Sequence, residues 1–72
     1  MKIIINGKEE VIEKDFLNVL ELLKIKKVKM PEMVTVELNG EILEREKFGE
    51  TIVKEGDKIE FIYYMGGGVK KN

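Results

Sequence analysis

The chain is 72 residues long, the size of one small domain, and its charges nearly balance, with 13 Lys and Arg against 14 Asp and Glu. This balance gives no support for nucleic-acid binding, which a basic excess usually accompanies. Cys, His and Ser are absent, which excludes disulfides, thiolate ligands and the usual nucleophile–base pairs of enzymes. No apolar run reaches the roughly 20 residues that cross a membrane. We therefore expect a cytoplasmic domain that is not an enzyme and has no nucleic-acid or membrane partner.

The first segment has the pattern of a β-hairpin. A run of three isoleucines at residues 3–5 ends at Asn6-Gly7. This dipeptide favours a two-residue turn because both of its positions need a positive φ. Residues 8–13 are then predicted to return as the second strand, with Val11 facing the core.

A helix is predicted next. The carboxylate of Asp15 can accept the unpaired amides of a first turn, which makes Asp15 the N-cap candidate. The helix is expected to end near Ile25 and to pack one apolar face on the sheet. The residues of that face are Phe16, Val19, Leu20 and Leu23.

A basic connection follows the helix, with Lys26, Lys27 and Lys29 close to the single proline, Pro31. Two interpretations remain open for this cluster. It is either a solvated loop or a docking contact for an acidic partner.

The strands of the second half are marked by alternation and by turns. Residues 34–38 alternate apolar and polar side chains, the pattern of a half-buried strand, and stop at a second Asn-Gly turn, Asn39-Gly40. A β-prone run over residues 58–65 is predicted to be the last strand. Between them we expect a returning strand over 41–43, a short strand or helical turn over 44–48, and a turn at 55–57.

This order of elements indicates an α+β domain. The first and last strands are expected to lie side by side and parallel, because the helix between them provides the crossover. That arrangement is the β-grasp (ubiquitin-like) fold, a mixed sheet of about four to five strands packed on one main helix. We assign residues 1–65 to the β-grasp domain and residues 66–72 to a flexible glycine tail and extension.

The last predicted strand carries apolar side chains on both faces. Ile59 and Phe61 are assigned to the core, so Ile62 and Tyr64 must point to the other face. Together with Ile4 they are expected to form an exposed patch for partner binding. Burial of this patch by turns or by self-association is the alternative.

Short motifs in a characteristic order then point to a family. They are Asn6-Gly7, Asp15-Phe16-x-x-Val19-Leu20, Val34-x-Val36-x-Leu38-Asn39-Gly40-Glu41-Ile42, Arg45 with Phe48, Thr51, Gly56-Asp57-x-Ile59-Glu60-Phe61 and Gly66-Gly67-Gly68. In these residues the chain resembles the ThiS group of sulfur-carrier proteins of thiamine biosynthesis, within the wider ThiS/MoaD ubiquitin-like family.

The resemblance implies a carrier. In such proteins an E1-like adenylyltransferase uses ATP to adenylate the terminal glycine, which becomes a thiocarboxylate and delivers sulfur to a thiazole synthase. It implies that Gly68 and Gly67 carry the acyl adenylate and the sulfur, and that Gly66 lines the enzyme channel. No metal or bound cofactor is implied, because ATP is used by the activating partner.

The chain departs from the family pattern at its end, where residues 69–72 follow Gly68. Trimming by a protease, residues added to the natural protein, and loss of the sulfur role each account for them. Two other functions stay open: a carrier of the molybdopterin-synthase small-subunit type, and a ubiquitin-like binding or modifier domain without sulfur chemistry.

Overall fold

A computed structural model describes residues 1–65 and 68–71, and the side chains of residues 1–63. This part of the chain contains one α-helix, a single 3₁₀ turn and eight strands. In chain order they are β1 Lys2–Ile5, β2 Lys8–Val11, β3 Phe16–Asn18, α1 Val19–Ile25, β4 Thr35–Leu38, β5 Glu41–Leu43, the 3₁₀ turn Arg45–Lys47, β6 Ile52–Lys54, β7 Lys58–Met65 and β8 Gly68–Lys71.

The main sheet has β7 at its centre, in the order β2-β1-β7-β4-β5. Strand β1 runs parallel to β7, whereas β4 and β8 both pair with β7 in the antiparallel direction. Strands β3 and β6 form a separate two-stranded sheet. The mixed sheet, the single helix and the parallel pairing of β1 with β7 confirm the predicted β-grasp fold.

The core lies between α1 and one face of the main sheet, the inner face. Ile59 and Phe61 of β7 are buried there, as the alternation predicted. Phe48, which follows the 3₁₀ turn, is 2% exposed and is the second phenylalanine of the core beside Phe61. The other buried apolar side chains of this cluster are Ile3, Ile5, Ile12, Leu17, Val19, Leu22, Leu23, Val34, Val36 and Val53.

The predicted helix start at Asp15 is wrong. The N-cap is Asn18, whose Oδ1 accepts a hydrogen bond from the Glu21 amide at 2.8 Å, while Glu21 Oε1 accepts one from the Asn18 amide at 2.9 Å. This reciprocal pair is a capping box. Residues 16–18 pair with β6, so the helix cannot begin before that strand ends, and Phe16 is 64% exposed instead of packing in the core.

The assignment of Val11 to the core is also wrong. Val11 lies opposite Lys2, and directly opposed residues of an antiparallel pair share a face. Because Ile3 is buried on the inner face, Lys2 and Val11 lie on the outer face, where Val11 is 71% exposed. The core position is taken by Ile12, whose amide donates to the Met1 carbonyl at 2.8 Å.

Both Asn-Gly turns are confirmed, and their asparagine side chains also fix β7. Asn6 and Asn39 adopt φ values of 51° and 53°. Asn6 Oδ1 accepts a hydrogen bond from the Phe61 amide at 2.9 Å, and Asn39 Oδ1 accepts one from the Lys58 amide at 2.9 Å. Asn39 Nδ2 also donates to Asp57 Oδ1 at 3.1 Å. The two hairpin turns thus hold the central strand through side chains as well as through sheet pairing.

The C-terminus of α1 closes in a Schellman motif built without glycine. The Val28 amide donates to the Leu23 carbonyl and the Lys27 amide to the Lys24 carbonyl, both at 3.1 Å. Lys27 holds the left-handed position with a φ of 52°. Glycine is usual at this position because a Cβ is unfavourable there.

Glycine at position 27 should stabilise the domain. We expect Lys27→Gly to raise the free energy of unfolding by about 0.5–1 kcal/mol, because relief of the left-handed strain exceeds the entropy that glycine adds to the unfolded chain. Urea unfolding followed by circular dichroism measures the change. A lower free energy of unfolding would show that the Lys27 side chain stabilises the fold.

The same replacement at the second turn should act in the opposite direction. We expect Asn39→Gly to lower the free energy of unfolding by about 1–2 kcal/mol, because glycine keeps the positive φ but leaves the Lys58 amide and the buried Asp57 without the asparagine amide. The same urea experiment measures it. Unchanged stability would mean that the turn conformation alone fixes β7.

Candidate functional site

The predicted sulfur-carrying glycines follow the end of β7 in the chain. Strand β4 pairs with β7 up to Ile62, so residues 63–65 extend beyond it. Gly66 and Gly67 lie outside the described residues. Gly68 is opposite Met65 at the start of β8, which runs back along β7 as far as Ile62. The flexible tail over residues 66–72 and the roles of its glycines stay predictions.

The outer face of the main sheet is the predicted docking face. Exposure of Ile62 was expected there, but this side chain is only 5% exposed. The reason is that Ile62 has strands on both sides, with Thr35 of β4 and Lys71 of β8 as its pairing partners. Ile4 is half-buried. The side chain of Tyr64 lies outside the described part.

Two residues that sequence reasoning missed supply the exposed apolar surface of this outer face. Val11 is 71% exposed, and Ile42 is 66% exposed opposite Glu37. Val36 and Leu38, on either side of Glu37 in β4, pack in the core, so Glu37 points outward. Ile42 pairs with Glu37 and therefore points outward as well. The exposure of both residues follows from the register in which β2 and β5 pair with their neighbours. The sequence alternation within β2 and β5 does not determine that register.

Arg45, one of the residues in which the chain resembles the family, makes contacts that stabilise the fold. Its guanidinium donates from Nη1 to the Pro31 carbonyl at 2.8 Å and from Nη2 to the Val34 carbonyl at 2.7 Å. The same group lies 5.2 Å from the centroid of the Phe48 ring, within the range of a cation–π contact. Arg45 therefore fastens the connection between α1 and β4 to the core.

Tyr63 fastens the same connection from β7. Its hydroxyl donates to the Lys29 carbonyl at 2.5 Å. Burial raises the pKa of Tyr63 above its ordinary value of 10.0, and the carboxylate of Glu32 raises this pKa further. The phenol consequently stays protonated, and able to donate, throughout the neutral pH range.

Asp57 is the one buried acidic residue among the side chains of residues 1–63. Both of its oxygens are engaged: Oδ1 accepts from Asn39 Nδ2 at 3.1 Å and Oδ2 accepts from the Lys54 amide at 2.9 Å. These two hydrogen bonds hold the turn before β7 in shape. The described residues contain no group of three or more His, Cys, Asp or Glu side chains that could hold a metal ion, and no helix among them is long and apolar enough to cross a membrane.

The chain is similar in sequence and fold to solved structures. The crystal structure of a thiamine biosynthesis protein, ThiS, from Geobacter metallireducens is 55% identical, with a TM-score of 0.89 over 94% of this chain and 100% of that one. The solution structure of a thiamine biosynthesis protein from the same organism is also 55% identical, with a TM-score of 0.79 over 94% of this chain and 88% of that one. A search of curated protein sequences found no match.

The family model for the ThiS family matches residues 2–68, which include every strand of the main sheet up to β7. The match runs through the glycines and ends at Gly68. The chain therefore belongs to the ThiS family, as its motifs predicted.

Proposed function

We propose that this protein is the sulfur carrier of a thiamine biosynthesis pathway, with Gly68 as the residue that carries sulfur. The observation that supports this most directly is the family match, which extends through the three glycines and stops at Gly68. The likeness to a thiamine biosynthesis protein along that protein's whole length supports the same pathway. The proposal includes a cytoplasmic location.

The chemistry of the proposal begins with activation. A carboxylate is a poor acyl donor, so an E1-like adenylyltransferase first joins the glycine carboxylate to the α-phosphate of ATP and releases pyrophosphate. Hydrosulfide then attacks the acyl carbon, the bond from that carbon to the AMP oxygen breaks, and AMP and a proton leave a thiocarboxylate, which a thiazole synthase consumes. The protein supplies the acyl group and a docking surface, while catalysis and ATP binding belong to its partners.

Glycines suit this task because two active sites must reach the same carbon. A backbone without Cβ atoms can enter a narrow channel and adopt different conformations in successive partners. For Gly68 to carry the reactive carboxylate, residues 69–72 must first be removed. In the structure Gly68 also pairs with Met65, so this pairing must open before the glycine can enter a partner.

Mass spectrometry of the chain ending at Gly68 tests the sulfur role. The shortened chain is incubated with the E1-like enzyme, ATP and a sulfur donor. We expect its mass to increase by the difference between one sulfur and one oxygen atom. The matched control is the full chain ending at Asn72, which should not gain this mass. No gain in the shortened chain would contradict the proposal, and so would protein from its native cells that always ends at Asn72.

Docking of the activating enzyme is predicted to use the outer face of the sheet. We expect Ile42→Glu to weaken binding to the E1-like partner by about tenfold, since a carboxylate would replace an exposed apolar contact. Isothermal titration calorimetry measures the affinity. The control is Ile52→Glu, at a residue that is 47% exposed on β6 of the other sheet. Equal losses in the two variants would place the interface elsewhere.

A further inference from the structure

A cleft is present on the helix side of the domain. It is about 230 Å³ in volume and lies between α1 and the connection that follows it. Its apolar lining comes from Leu20, Leu23, Val28 and Pro31, and Lys24 and Lys27 complete the lining. Leu20 is 48% exposed, so apolar surface is available there to a partner.

The connection that forms one wall of the cleft is held in place. The Schellman bonds set Val28 against α1, the Tyr63 hydroxyl donates to the Lys29 carbonyl, and Arg45 donates to the Pro31 carbonyl. A site whose walls are already ordered loses little conformational entropy when a partner binds. Lys27 and Met30 both hold left-handed backbone conformations here, with φ values of 52° and 53°. Such strained positions collect at functional sites more often than elsewhere.

The edge of the cleft is positively charged. Lys26, between the two lining lysines, forms an ion pair with Glu10, and the Glu21 carboxylate is engaged in the capping box. Among the side chains of residues 1–63, no carboxylate lies within ion-pair distance of Lys24 or Lys27. Glu32 is the acidic residue of the connection, and it interacts with Tyr63.

We propose that this cleft docks an acidic peptide segment of a partner protein, with a large apolar side chain of that segment seated among Leu20, Leu23 and Val28. The lysines at the edge complement the carboxylates of the segment. The volume is below the roughly 300–1,000 Å³ of small-molecule sites, so it suits a side-chain anchor more than a whole ligand. The chain's own end is excluded as the occupant, because Lys70 and Lys71 would add positive charge to a positive edge.

Titration with a defined peptide tests this proposal. The probe is acetyl-Glu-Asp-Leu-Leu-Asp-Glu-amide, and its control has every Glu and Asp replaced by Gln and Asn. With full-length protein labelled at leucine and valine methyl groups, we expect the acidic peptide to shift the methyl signals of Leu20, Leu23 and Val28. The neutral peptide should bind more weakly, and binding of the acidic peptide should weaken as salt is raised.

Variants separate charge from packing. Lys27→Gly removes one lysine at a position where glycine suits the backbone, so we expect about two- to fivefold weaker peptide binding without loss of the fold. Lys2→Gln removes the same charge from the opposite face of the sheet and should leave the affinity unchanged. Leu20→Ala should weaken binding, whereas Ile52→Ala, at a residue of matched exposure, should not.

Three results would overturn the proposal: no shift at the three methyl groups, equal affinity for the acidic and neutral peptides, or equal effects of Lys27→Gly and Lys2→Gln. Binding of phosphatidylglycerol vesicles without peptide binding would assign the cleft to a membrane surface and also overturn it. If the molecular mass in solution rises with protein concentration, and this rise is absent in Lys27→Gly, the cleft binds a second copy of the chain. The titration uses no ATP and no activating enzyme, so its outcome is independent of the proposed sulfur role.

Discussion

The structure depends on how its central strand is held along both edges. Strand β7 lies between β1 and β4, and the turn at the end of each of these strands places an asparagine side chain against it. The Asn6 and Asn39 amide oxygens accept the β7 amides of Phe61 and Lys58. Hydrogen bonds of this kind satisfy backbone donors that would otherwise be unpaired inside the sheet. The strand that leads to the glycines is therefore fixed by contacts from both hairpins.

This arrangement explains why the motifs of the family are mainly structural. Asn6 and Asn39 hold β7, Arg45 ties the connection after α1 to the core, and Asp57 accepts hydrogen bonds at the turn before β7. The folded domain of a carrier needs to be stable and to offer surfaces that bind its partners. The residues that identify the family therefore maintain the fold from which the glycines extend.

The two faces of the domain differ in the surfaces that they offer. The outer face of the sheet exposes isolated apolar side chains, Val11 on β2 and Ile42 on β5, each separated from β7 by one strand. The helix side has a preformed apolar cleft with lysines at its edge. A small protein that meets several partners can in this way use separate surfaces for them, since neither surface shares a residue with the other.

The sequence by itself determined the features that depend on local chemistry. Both Asn-Gly turns, the alternation that buries Ile59 and Phe61, the crossover that makes β1 and β7 parallel, and the family could all be predicted, because turn geometry and side-chain periodicity are properties of neighbouring residues. The glycine tail is a prediction from the family motif.

Only the tertiary structure decided which residues face the core and which face solvent. Phe16 fits a helical stripe, yet its pairing with β6 puts it in a strand and leaves it exposed. Val11 and Ile62 also differ from expectation because strand register and strand neighbours set their burial. A shift of register by one residue moves a side chain to the other face, and register is set by residues that are distant in the chain. For this reason the positions of the candidate docking surfaces could not be read from the sequence alone.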